Sequence, residues 1–213
     1  MTISSVITVA QQKGGTGKTT LCAHLAVGFR QMGLRVAMID TDPQGSLGRW
    51  FLTRRNVMTD PDLLLSTSSA WGVSYECDKL RREVDVILVD TPPKADSDLR
   101  PSLRAADLVL VPLGASQLDL WATEGVLDLC AREDREVRLV LNRVKAGTKL
   151  DAEIAEKAAA LHGQLAQSRL SHRVAFAQSM GLGLTVFDHP RKGPAATEAQ
   201  ALCQEISLAL HQG

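Results

Sequence analysis

Five short runs, Ser5 to Ala10, Arg35 to Ile39, Val84 to Val89, Leu108 to Val111 and Val137 to Leu141, are apolar at most positions and rich in β-branched residues. A strand with one wet face alternates apolar and polar residues, so runs without that alternation belong to strands covered on both faces, as in parallel sheets. Segments of helical period lie between them. Thr19 to Met32 keeps Leu21, Leu25 and Phe29 on one face and stops at Gly33, a residue suited to the left-handed position after a helix. Gln117 to Arg132 spaces Leu120, Thr123, Leu127 and Cys130 in the same way, and Asp151 to Gln164 is rich in Ala, Glu and Lys, which favours helix. This alternation predicts right-handed crossovers and an α/β fold, a doubly wound and mostly parallel sheet flanked by helices. Thr197 to Leu210, with Ala199, Leu202, Ile206 and Leu210 at helical spacing, predicts a closing helix. Thr53 to Tyr75 has no sustained period and many turn residues, and reads as a mobile surface segment rather than a linker.

A length of 213 residues suits a single domain, 1–213, with one substantial core. Basic and acidic residues balance at 24 each, so no global field draws the chain to nucleic acid or anionic lipid, and any such contact needs a local patch. An aromatic content of 4% argues against a large stacking surface for single strands. Cys22, Cys77, Cys130 and Cys203 lie far apart with no Cys-x-x-Cys pair, the pattern of reduced thiols. No basic leader precedes the first strand, and no apolar run reaches the roughly 18 residues of a membrane span. A cytoplasmic protein is expected.

In open parallel sheets ligands bind beyond the carboxyl ends of the strands, so the residues after each apolar run carry the most information. After the first run comes Lys13-Gly14-Gly15-Thr16-Gly17-Lys18-Thr19-Thr20. Its glycines let backbone N–H groups curl around a phosphate, and the helix that follows points its positive end at the same place. Lys18 would then meet the terminal phosphates and the Thr19 hydroxyl Mg²⁺. The usual first glycine of such a loop is replaced by Gln12, and Lys13 is an additional cation. The second run ends in Asp40-Thr41-Asp42-Pro43-Gln44 and the third in Asp90-Thr91-Pro92-Pro93. Either alone is a common turn or helix cap. Together, beside a phosphate loop, they supply carboxylates to hold Mg²⁺ through water and to orient a water for attack on phosphorus. The fifth run leads into Asn142-Arg143, where a carboxamide could meet adenine edges or serve as an ordinary turn residue.

With these residues the chain resembles the ParA/MinD superfamily, and most of all the small ParA-type partition ATPases. The likeness rests on Gln12 to Thr20, on Ile39-Asp40-Thr41-Asp42-Pro43-Gln44-Gly45 and on Ile87-Leu88-Val89-Asp90-Thr91-Pro92-Pro93. The second lysine, Lys13, marks the deviant Walker A loop of that family of phosphate-loop NTPases. The resemblance implies ATP and Mg²⁺ as ligands and an ATP-bound homodimer in which Lys13 reaches the partner's phosphates, offsetting charge as an arginine finger does. It implies that Asp42 positions the attacking water, Asp40 supports the Mg²⁺ shell and Asp90 is the Walker B carboxylate. It also implies nonspecific binding of double-stranded DNA by the dimer on the nucleoid, and slow hydrolysis stimulated by a ParB-like or cargo-bound activator. The cargo would be a plasmid, a chromosome region or a protein assembly.

A DNA surface would draw on Arg143, Lys145, Lys149, Arg169, Arg173, Arg191 and Lys192, with Arg138 upstream. Each alone is better explained as a solvated charge, and a collective patch would contact phosphates rather than bases. A MinD-like membrane positioner needs a basic amphipathic C-terminal helix, whereas Thr197 to Gly213 holds no Lys or Arg and two Glu. A metabolic ligase of the superfamily remains an alternative. An iron protein does not, since neither Cys77 nor Cys130 stands in a cluster-ligand context.

Overall fold

The computed structural model describes residues 4–58, 63–93, 96–145, 147–189 and 193–210. The strands are β1 (Ser5–Val9), β2 (Val36–Asp40), β3 (Leu63–Thr67), β4 (Val86–Asp90), β5 (Leu108–Leu113), β6 (Val137–Val144), β7 (Gln164–Leu165) and β8 (Leu170–Ser171). They form one sheet in the order β3-β2-β4-β1-β5-β6-β7, with β8 also on β6. Every pairing is parallel. The helices are α1 (Lys18–Gln31), α2 (Ser46–Val57), α3 (Val73–Leu80), α4 (Asp96–Ala105), α5 (Gln117–Arg132), α6 (Lys149–Ala159), α7 (Val174–Gly181) and α8 (Pro194–Leu210).

The unbroken apolar runs are explained by the two faces they serve. Ile7, Val9, Met38, Leu88 and Leu110 point to one face, where α1, α2, α7 and α8 pack through Leu25, Phe29, Trp50, Phe176 and Leu202. The intervening Val6, Ala37, Ile39, Ile87 and Val89 point to the other, against Val73, Cys77 and Leu80 of α3. Farther along that second face, Val109, Val111, Leu139 and Leu141 meet Leu103, Leu120, Leu127 and Ile154 from α4, α5 and α6. Helix α1 lies between the central strands and α8, and the approach is close. A Cβ on Gly28 would overlap the Cys203 sulfur and come within 3.1 Å of Phe187. The four cysteines are free and buried.

The segment Thr53 to Tyr75 differs from its expected irregularity. It holds the end of α2, strand β3, a short 3-10 turn (Ala70–Gly72) and the start of α3, while 59–62 lie outside the described residues. Strand β3 is an edge strand bonded only to β2, so Leu64 and Thr67 are exposed and the run lacks the two-faced apolarity of the centre. The helix expected over Asp151 to Gln164 is α6, which ends at Ala159, and Gln164 belongs to β7. Strand β6 continues to Val144, so Asn142 and Arg143 lie within its last residues.

Helix α2 is bolted to the segment after α7. The buried Arg54 guanidinium donates to both carboxylate oxygens of Asp188, at 2.7 and 2.9 Å, and Asp188 also accepts from the Thr185 backbone N–H and hydroxyl. The Trp50 indole donates to the Leu184 carbonyl at 3.1 Å. Removing one partner of a buried pair leaves an uncompensated charge and destabilises by about 3–5 kcal/mol. Arg54→Leu is therefore expected to lower the urea-unfolding free energy by about that amount, and by well under half as much when Asp188→Leu is added.

Candidate nucleotide site

Adjacent parallel strands bring the site together. Val9, Asp90 and Asp40 are Cα partners across β1, β4 and β2, so the loop after β1 and two carboxylates share one edge. The strand ending in Asp90 is fourth along the chain but sits between β1 and β2. The side chains of the next residues fix their loops to neighbouring strands. The Thr41 hydroxyl donates to the Asp90 carbonyl and the Thr91 hydroxyl to the Val9 carbonyl, each at 2.8 Å.

The phosphate loop turns into α1 through Gly15 at φ 75° and Gly17 at φ 91°, the left-handed region where a Cβ is disfavoured. At Gly17 there is a second reason, because a Cβ would stand 2.5 Å from the Asn142 amide nitrogen. That nitrogen donates to the Thr16 carbonyl at 2.7 Å, and the Arg143 guanidinium donates to the Gly15 carbonyl at 2.6 Å. Asn142 thus braces the loop with one amide N–H, and its second N–H and its side-chain oxygen take no part in that bond. Arg143 takes φ 57° at the end of β6, which turns its long side chain toward the loop.

Lys18 is buried, and its ammonium donates to the Gln11 carbonyl at 3.0 Å. Burial lowers its pKa, opposed by the charges of Asp90 and Asp42. The Thr19 hydroxyl donates to one Asp90 oxygen at 2.6 Å, while the other Asp90 oxygen is buried with no partner. Burial pushes Asp90 up to about 7, with Asp40 and Asp42 adding to the rise and Thr19 and Lys18 opposing it. Asp40 accepts from the Asp42 and Gly48 backbone N–H groups, yet burial still raises its pKa. Asp42 caps its own turn by accepting from the Gln44 N–H at 2.9 Å.

A cleft of about 820 Å³ opens over these groups, lined by Gly15, Gly17, Lys18, Thr19, Thr20, Asp42 and Asn142 and running on to Trp50 and Phe176. That is within the usual size of a cofactor pocket. Lys13 lies elsewhere. Its ammonium pairs with Asp119 at 2.8 Å, on the far side of the loop.

Among the residues expected to contact DNA, Arg169 pairs with Asp151 and Arg173 with Glu198, and Arg138 pairs with Glu136. These acids are distant or offset in sequence, so the run of cations overstated the local charge. Lys145 and Lys149 are exposed, and Arg191 and Lys192 lie outside the described residues. The sequence also gave no notice of Gln11, whose buried amide donates to Pro112 and Thr123 while its oxygen accepts from the Gln12 N–H. Nor did it flag His24 of α1, whose Nε2 accepts from the Val186 N–H. Ser116-x-x-Asp119 is the one overlooked feature with a local signal, since Ser116 caps α5 through the Asp119 N–H.

Fold and site together define a phosphate-loop nucleotide-binding protein. The chain belongs to the CobQ/CobB/MinD/ParA nucleotide binding domain family, whose profile matches residues 7–186, and it is a ParA-like ATPase of that family. It is 27% identical over 207 residues to the maintenance of carboxysome distribution protein A of Halothiobacillus neapolitanus, across 94% of this chain and 95% of that one. It is 28% identical over 238 residues to the chromosome-partitioning ATPase Soj of Thermus thermophilus, across 94% of each. In fold it is similar to the septum site-determining protein MinD of Pyrococcus horikoshii complexed with Mg-ADP, at a TM-score of 0.79 and 16% identity over 99% of each chain.

The raised Asp90 pKa makes a signed prediction for the protein without nucleotide or metal. A carboxyl whose folded pKa of about 7 lies above its ordinary value of 3.8 favours the folded state while protonated, and that contribution is lost as pH rises from about 4 through 7. Asp90→Asn should therefore stabilise the empty protein at pH 8, by roughly 1–3 kcal/mol, and change it little at pH 4. Urea unfolding at the two pH values reads the difference.

Proposed function

We propose that this protein is a nucleotide-driven positioning switch. It binds ATP with Mg²⁺, forms a face-to-face homodimer that holds double-stranded DNA without sequence preference, and hydrolyses ATP slowly until a ParB-like or cargo-bound activator speeds release. The observation that carries the reading is a phosphate loop whose Lys18 and Thr19 line one cleft with Asp42, with buried Asp90 behind Thr19 and hydrogen-bonded to its hydroxyl. The Mg-ADP complex of the similar MinD supports the same ligand here.

The residues fit Mg²⁺. Asp90 has a buried oxygen without a partner and a carboxyl that burial keeps from ionising easily, and both features call for a cation. Mg²⁺ keeps several waters and shares phosphate oxygens, so it needs few protein ligands. Thr19 and Asp90 would hold it, with Asp40 supporting its shell, and when bound it neutralises charge on the transferred phosphoryl group. Gly14, Gly15, Thr16, Gly17 and Thr20 would surround the phosphates with N–H groups and hydroxyls. Lys18 would move from the Gln11 carbonyl to the terminal phosphate. Asp42, at the cleft mouth, would orient the attacking water.

The DNA contacts would draw on exposed Lys145 and Lys149, on Arg143 once it is freed from Gly15, and on Arg169 and Arg173, whose partly exposed ion pairs are weak enough to yield to phosphate. A membrane role has less support. Helix α8 buries Ala195, Ala199, Leu202, Cys203 and Ile206 in the core. The names of the relatives point to carboxysomes and chromosomes as cargo classes.

Asp42→Ala is expected to slow hydrolysis about 100-fold and to trap an ATP-dependent dimer visible by light scattering. A variant that stays monomeric with ATP and Mg²⁺ would contradict the switch. Retention on DNA should require ATP and weaken steeply with salt, as phosphate contacts do, and equal retention without nucleotide would refute the coupling.

A further inference from the structure

Lys13 is in the phosphate loop but does not face the phosphate cleft. It lines a second, shallower recess of about 340 Å³ on the outer side of the loop, shared with Gly114, Ser116, Asp119, Arg143 and His172. Lys18 and Asp42 line the main cleft instead. In the recess the Lys13 ammonium donates to one Asp119 oxygen at 2.8 Å, and the Ser116 hydroxyl donates to the other at 2.5 Å. Asp119 stands in the first turn of α5, where a helix favours negative charge, and its own N–H is capped by Ser116. Its carboxylate is therefore held ready whatever Lys13 does.

We propose that Asp119 is a positioning residue that parks Lys13 in the outer recess, away from the phosphates, until bound nucleotide competes for the lysine. This rests on the reading of the protein as an ATP-driven dimer, since the phosphates that Lys13 leaves for would be those of the partner. The parked pair suits a reversible hold. The lysine side chain is 39% exposed and that of Asp119 13%, so solvent screens the attraction and the hold is weak. A triphosphate carries far more charge than one carboxylate and can win the lysine without a large opposing barrier. The hold would keep the empty protein from presenting an unpaired cation at its dimer face. Arg143 enters the same recess but is tied to the Gly15 carbonyl, so Lys13 is the group that Asp119 neutralises.

The experiment has two arms. In the first, nucleotide-free protein is pulsed with acetic anhydride and Lys13 acylation is followed by peptide mass spectrometry, with exposed Lys145 as the internal reference. Asp119→Asn should raise the Lys13 rate about two- to fivefold, Ser116→Ala should raise it less, and Asp119→Glu should leave it near the unmodified rate. Equal Lys13 rates in the unmodified protein and Asp119→Asn overturn the parking. In the second arm, light scattering with ATP and Mg²⁺ should show Asp119→Asn dimerising at a concentration two- to fivefold lower, an effect absent in a Lys13→Gln background. A lower midpoint in that background as well, or a higher midpoint with Lys13 present, also overturns the inference, because Asp119 would then act through α5 or assist the dimer. If labelling responds as expected but no variant dimerises with ATP, the parking stands and the dimerisation reading is what fails.

Discussion

The site depends on register. Because β1, β4 and β2 are neighbouring parallel strands, their carboxyl ends finish at one edge, and the pairing of Val9 with Asp90 and of Asp90 with Asp40 sets which residues stand there. A slip of one residue would turn Asp90 to the opposite face and bring an apolar neighbour to the site. The two-faced core forbids the slip, since alternate residues of these strands pack on opposite faces, one toward α1 and the other toward α3 and α4. The apolar runs that dictate the fold are thus the same residues that hold the carboxylates in place.

Helix α1 carries this order outward. It is buried along most of its length, and His24, one turn beyond Thr20, ties it to the segment after α7. The Thr20 carbonyl lies 2.8 Å from His24 Nδ1 and the Val186 N–H donates to Nε2, so the ring bridges as a neutral imidazole with its proton on Nδ1. Burial holds its pKa down to about 4, and the ring packs edge-on against Phe176. The same segment is gripped by Trp50 and Arg54 of α2, and α2 begins a few residues beyond Asp42. The helix of the phosphate loop and the helix beyond the Asp42 turn therefore share one buried anchor.

Much of this was legible in the chain. Continuous apolarity marked the five central strands because each is covered on both sides, and Gly17-Lys18-Thr19 marked the phosphate loop because only glycine accepts its backbone. What escaped had physical reasons. Strand β3 lies at the edge and pairs on one side, while β7 and β8 have two residues each, too few for any period. Asn142 reads in sequence as either a base contact or a turn residue, and its brace on Thr16 across 126 positions of sequence was not visible there. Arg169 and Arg173 looked like free cations because Asp151 and Glu198 are 18 and 25 positions away, and composition does not reveal such pairings. Lys13 was legible as an extra cation, but not that Asp119, 106 positions on, neutralises it in the isolated chain.

The charge arrangement explains why the empty site is unfinished. Asp42 and Asp90 act on the buried ammonium of Lys18 and Asp40 acts on Asp90, while Lys13 sits on Asp119 in the outer recess and Arg143, bonded to the Gly15 carbonyl, lines both that recess and the main cleft. Burial, more than the neighbouring carboxylates, raises the pKa of both Asp40 and Asp90. The cleft itself is lined by Lys18, Arg49, Arg143 and Arg173 against Asp42, so an anionic ligand meets cations there. Asp40 and Asp90 stay buried outside that lining, and the Asp90 oxygen that has no partner is what leaves the empty site unfinished.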